Sequence, residues 1–134
     1  MLPKYHFLAS LILTAILYPH VGVISLLVFA TGWLIDLDHA LYYVLRFRNF
    51  EYKKMYAYFK DRKFGKRKIL NMFHTLEFYL ITLILAFVNK YFLVLALGLF
   101  LHVTMDTIHL AIIKRYSVRY WTMTGWVMDR IKGI

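Results

Sequence analysis

Five histidines and four of the seven acids in this chain fall within or at the ends of apolar stretches, where ionisable groups are expensive and usually functional. His6 begins the first stretch, and Asp36, Asp38 and His39 close the second. His74 and Glu77 lie in the third, and His102, Asp106 and His109 in the fourth. On a helix of ~100° per residue, His102, Asp106 and His109 share an arc of about 60°. Residues three apart also share a face, which pairs Asp36 with His39 and His74 with Glu77. Asp38 points away from Asp36 unless the helix bends there; without a bend it stands behind the ligands and orients them. Neutral imidazole and carboxylate suit zinc, manganese or ferrous iron. Helical bundles build such sites from inward-facing carboxylates and Glu-x-x-His pairs, here in the reversed order His74-x-x-Glu77. The candidate ligands are Asp36, His39, His74, His102, Asp106, His109 and His6, with Glu77 or Asp38 as the general base. They outnumber the ligands of one tetrahedral zinc, so the set predicts either two ions or one ion with orienting carboxylates around it. A lone intramembrane histidine is often only a helix–helix hydrogen-bond donor, a reading that suits His6 taken alone.

These residues need elements to hold them. Hydrophobic residues make up 61% of the 134, and cysteine is absent, which excludes disulfides and thiolate zinc sites. Mean hydropathy is +0.57. A soluble domain this small could not hide so much apolar surface, whereas lipid can solvate it. Four stretches are predicted to be helices of an all-α membrane bundle in a single domain: about 5–18, 21–46, 69–88 and 91–113. Pro19-His20 before Gly22, and Asn89-Lys90, read as turns. The first stretch is short for a span and could be a signal-peptide core. His6, Ser10 and Thr14 nevertheless fall on one of its faces, as expected of a retained, packed helix. Residues 50–64 and 116–134 interleave aromatics with Lys and Arg and read as interfacial amphipathic segments.

The net charge is +10. In a soluble domain that would suggest nucleic acid. Here the charge lies between apolar stretches, as it does where it sets topology and meets anionic headgroups, so no nucleic-acid partner is expected. With four spans, Lys4, the Arg46–Lys68 loop and the Lys114–Lys132 tail share one side and Lys90 lies opposite. The positive-inside rule then puts both termini in the cytoplasm of a multi-pass inner-membrane protein. At ~1.5 Å per residue, Asp36 is about 22 Å from Val21, Glu77 about 18 Å from Asn89 and His102 about 16 Å from Tyr91. All three therefore lie in the cytoplasmic half of the bilayer.

The order of these residues resembles a family of small inner-membrane proteins described as metal-dependent hydrolases. Its features are an early His, a Leu-Pro-Asp-x-Asp-His segment, a Thr-His-Ser segment and a Gly-x-x-x-His-x-x-x-Asp helix. Here they correspond to His6, to Leu34-Ile35-Asp36-Leu37-Asp38-His39, to Phe73-His74-Thr75, and to Gly98 through His102 to Asp106. Ile35 stands where the family has Pro, the His-Arg-Gly before Thr-His-Ser is missing, and Glu77 and His109 have no counterpart. The resemblance implies a metal-dependent hydrolase.

Two functional classes follow. One is a membrane-embedded metallohydrolase opening toward the headgroup layer, where a lipid phosphoester would fit and Lys and Arg would attract its charge. The other is a cation or proton transporter, or a metal-binding membrane protein, since intramembrane Asp, Glu and His also build ion paths. Against transport, the far half of the stretches is nearly all apolar and no paired broken helices are evident. A path could also arise in an oligomer.

Overall fold

A computed structural model describes residues 3–60, 68–114 and 119–133. These are mostly helical, with no strand among them. Arg62, Lys63, Lys66, Arg67 and Arg115, together with residues 61–64 and 116–118 of the expected interfacial segments, lie outside the described residues.

Helix α1 (Pro3–Val21) runs through Pro19, three residues beyond which the chain reverses at Gly22. Proline in the last turn deletes only one helical hydrogen bond, so the expected break at Pro19-His20 falls at Gly22 instead. Gly22 takes φ +60°, a left-handed conformation that costs glycine little. A 3₁₀ turn (Gly22–Ser25) leads into α2 (Leu26–Trp33), which packs back along α1. The predicted polar stripe is the inner face of α1: its buried residues are His6, Ser10 and Thr14. Thr14 Oγ1 donates to the Ser25 carbonyl at 3.4 Å, and Ser10 Oγ to the His6 carbonyl at 2.6 Å.

A second 3₁₀ turn (Leu34–Asp36) separates α2 from α3 (Leu37–Phe47), which ends at Arg48 in the left-handed region. This is the bend the Asp36–Asp38 segment requires if both acids are to face one site. Helix α4 (Tyr52–Lys60) follows.

The third apolar stretch departs from the expected helix over 69–88. Ile69 forms an isolated parallel bridge with Arg119, and Met72–His74 is a 3₁₀ turn. Thr75 is extended, with φ −86° and ψ 152°, and its hydroxyl caps α5 (Leu76–Ala86) by accepting from Phe78 N. Helix α6 (Lys90–Ile112) is capped in the same way by Asn89, whose side chain accepts from Tyr91 N. It is the hub, packing against α2, α5 and α1. Gly98 permits the α2 contact: a Cβ there would lie 2.9 Å from Val28 Cα. Helix α7 (Met123–Ile131) closes the chain.

Two helical runs, Pro3–Phe47 and Lys90–Ile112, are long and apolar enough to cross a membrane. The core helix of a soluble protein also meets that test but is mostly buried. Here only 17% and 33% of the apolar windows are buried. Leu8, Leu11, Ile12 and Ile16 of α1 and Leu93, Leu97, Phe100 and Ile108 of α6 face outward.

Candidate metal centre

Four breaks or crossings bring the ionisable residues together. The bend at 34–36 turns Asp36 and Asp38 toward α6, and the extended entry to α5 lowers His74 onto the same level. His102 and Asp106 come from α6, one turn apart, and His6 from the first turns of α1. His6, His74 and His102 are 0%, 2% and 0% exposed.

The hydrogen bonds assign the protons. His74 Nδ1 lies 3.0 Å from Asp38 Oδ2, and a carboxylate can only accept, so Nδ1 carries the hydrogen. His102 Nδ1 lies 2.9 Å from the carbonyl oxygen of Gly32, so it too must donate. In the neutral tautomers both Nε2 atoms then hold bare lone pairs, yet they face each other at 2.9 Å. A positive charge belongs between them, either a proton held by one ring or a metal ion. Carboxylate oxygens complete the ring around this point: Asp36 Oδ1 is 3.4 Å from His102 Nε2 and 3.7 Å from His74 Nε2. Asp106 Oδ2 is 3.9 Å from His74 Nε2. Donors at about 2.0–2.2 Å from one tetrahedral zinc would be about 3.3–3.6 Å apart, inside the span of these spacings. Among the described residues His74, His102 and Asp106, all buried, form one group that could hold a metal ion, and Asp36 belongs to two neighbouring groups of the same kind.

Behind these four atoms stands a second layer. Asp38 bridges two rings, with Oδ2 on His74 and Oδ1 2.7 Å from His39 Nδ1. That second contact is close but poorly aligned for a hydrogen bond. His39 Nε2 faces the Asn71 side-chain amide at 3.0 Å, and its Nδ1 is 3.5 Å from Asp36 Oδ1. His39 therefore groups with Asp36 and His74 on the α3 side of the centre. His6 groups with Asp36 and His102 on the α1 side, stacking on His102 with centroids 3.9 Å apart. Its Nε2 is 3.2 Å from Asp106 Oδ1.

Two expected site residues are placed elsewhere. Glu77 does not share a face with His74, because Thr75 between them is extended rather than helical. Its carboxylate instead accepts from Met123 N at 2.9 Å, Thr124 N at 3.1 Å and the Thr124 hydroxyl. It caps α7, where a carboxylate meets unpaired N–H groups and the positive end of the helix dipole. His109 lies a turn beyond Asp106 and joins none of the candidate ligand groups.

Three contributors were not among the expected residues. Asn71 orients His39, and the Gly32 carbonyl orients His102. Arg119, read as part of a basic tail, is 5% exposed and donates from Nη1 to Asp106 Oδ2 at 3.1 Å. Residues 119–121 reach it by strapping across the start of the third stretch: Tyr120 N donates to Ile69 O at 3.0 Å and Leu76 N to Trp121 O at 2.9 Å. Burial pushes the Arg119 guanidinium below its ordinary value while Asp106, Asp38 and Asp36 oppose that shift. Arginine keeps its charge throughout this range. Sequence offered one weak signal for Asn71, a polar residue three before His74, and none for a backbone carbonyl.

No family model, curated protein or solved structure matches this chain.

Proposed function

We propose that the chain is a multi-pass inner-membrane metal-dependent hydrolase with one divalent ion, zinc by preference, at Asp36, His74, His102 and Asp106. The observation that carries this reading is the pair of imidazole nitrogens facing each other with both of their outer protons already committed. Carboxylate and carbonyl acceptors behind each ring fix its tautomer, as they do around metal-bound histidines. A bound ion supplies Lewis acidity and lowers the pKa of a coordinated water to about 7. Asp38 holds the His74 proton and keeps that ring oriented, and His39 with Asn71 keeps Asp38 in place. The ordered motifs shared with the small inner-membrane hydrolases favour the same chemistry.

The membrane reading rests on the outward-facing leucines and isoleucines and on the one-sided Lys and Arg. Helix α5 has 11 residues, roughly 16 Å at the helical rise, about half of a hydrocarbon core. Residues 69–75 would then enter at membrane depth with a single 3₁₀ turn in place of an α-helix. That is tolerated where backbone is buried in protein, and Asn71, His74 and Thr75 are all buried. A lipid phosphoester suits a site at that level, beside cytoplasmic anionic headgroups.

Two observations favour transport as a second reading. The chain has paired broken elements, 34–36 and 72–75, that meet at the centre, contrary to the expectation of none. Ser10, Thr14 and Ser25 also extend a buried hydroxyl line from His6 toward Gly22.

The deciding experiment is metal analysis of detergent-purified protein, followed by hydrolysis assays on mixed phospholipids in proteoliposomes. Stoichiometric metal and phosphate or alcohol release is the expected result. Metal without turnover, but with metal or proton flux, would transfer the centre to transport. No metal at all would leave the 2.9 Å pair to a shared proton and overturn the metal reading.

A further inference from the structure

Arg119 uses only part of its guanidinium. Nη1 donates to Asp106, and the cation lies over the Trp121 ring at 4.2 Å. Nε and Nη2 are buried and have no hydrogen-bond partner among the described residues. These two nitrogens form one edge of the guanidinium, the fork whose parallel N–H groups match two oxygens of a phosphate or carboxylate. Leaving several buried N–H groups unmade is costly, more so on a charged group. A simple tie to Asp106 would not require it, because lysine could make a single contact with less to satisfy. The strap at 119–121 and the Trp121 stack hold the fork rigidly, so little side-chain entropy is lost when it engages an anion.

We infer that the Nε–Nη2 edge of Arg119 is an oxyanion subsite beside the proposed metal centre, and that the ligand it takes is a phosphate group. The inference rests on the metal reading for its catalytic meaning: Nη1 of Arg119 holds Asp106, a proposed ligand, so the guanidinium that takes the phosphate also touches the ligand cluster. Charge favours it. One divalent ion plus Arg119 balances the carboxylates of Asp36, Asp38 and Asp106, so an arriving anion meets no net negative site. The phosphate could belong to a lipid headgroup or be free in solution. Arg119 would be a positioning residue, holding non-reacting phosphate oxygens on its Nε–Nη2 edge.

The test measures zinc and phosphate separately in wild type and Arg119→Lys, which keeps the charge and loses the fork. Inorganic phosphate is titrated in detergent and followed by phosphorus NMR. A second arm uses nanodiscs of phosphatidylcholine with or without phosphatidic acid. Zinc content should match in the two proteins, while phosphate or phosphatidate affinity falls at least tenfold in Arg119→Lys. Binding only to phosphatidate discs assigns the lipid source; binding of inorganic phosphate as well assigns a soluble one. Equal affinity in both proteins, or no binding by zinc-loaded wild type in either arm, overturns the subsite. If wild type holds no zinc, the metal reading fails by itself, and phosphate binding lost in Arg119→Lys would still uphold the fork. Should Arg119→Lys not fold, the Arg119 Nε–H resonance of wild type decides. A shift with phosphate but not with chloride supports the subsite, and no shift rejects it.

Discussion

Glu77 and Asp106 are both acids in apolar helices, and both meet the C-terminal segment, Glu77 at Met123 and Thr124 and Asp106 at Arg119. Glu77 receives two backbone N–H groups and a hydroxyl, all from one helix end. Donors and acceptors match there, and the result is a docked helix. Asp106 is buried and takes His6 on Oδ1 and Arg119 on Oδ2, while Oδ2 also looks toward the bare nitrogen of His74. Beside Asp106, His74 and His102 turn bare nitrogens toward each other, and neutral imidazoles leave no proton to place between them. A matched carboxylate holds structure together, whereas a buried excess of lone pairs calls for a cation.

The largest expected effect breaks the second region. His102→Ala removes one of the facing nitrogens and should reduce affinity for metal by more than the 10–100-fold that loss of an orienting partner costs. Metal content after dialysis should fall to background. Retention of full metal would leave the centre without its principal donor and reject it.

Asp38→Asn leaves every proposed ligand in place and disturbs only the acceptor behind His74 and His39. A drop of about 10–100-fold in zinc affinity by competition with a chelator is expected. An unchanged affinity would show that Asp38 does not set the His74 tautomer.

Gly98→Ala tests packing without touching either carboxylate. The added Cβ meets Val28 and Thr31 of α2. Overpacking of this kind costs about 1–3 kcal/mol, because backbone must move. Thermal unfolding in detergent should shift down while metal stoichiometry holds. An unshifted transition would mean that α2 and α6 do not approach as closely as described.

The smallest effect on the centre is expected from Glu77→Gln. Metal affinity should stay within about twofold, well short of the 10–100-fold expected when an orienting partner is lost. Amide exchange at Met123 and Thr124 should accelerate as the α7 cap weakens. Loss of metal in this variant would erase the contrast between the two carboxylates and return Glu77 to the site, where its spacing from His74 first suggested it belonged.

The sequence by itself determined the helical class, the Asn89 turn, a turn near Gly22 though not its position, and the residue types of the centre. Apolar runs and their breakers act locally, and ionisable groups among Leu, Ile and Phe are conspicuous wherever the chain carries them. Periodicity also found the inner face of α1, because His6, Ser10 and Thr14 are four apart on one continuous helix. It misjudged Glu77 because it assumed that the same helix ran through His74. Thr75 breaks that helix, and its extended conformation is supported by a contact between Leu76 and Trp121, which are 45 positions apart. Arg119 was read as a basic tail residue for the same reason: only the strap onto Ile69 brings it to Asp106. Which nitrogen of each histidine is bare could not be read from residue order. Imidazole tautomers are set by whichever acceptor stands behind the ring, and for His102 that acceptor is the backbone of Gly32, supplied by a different helix.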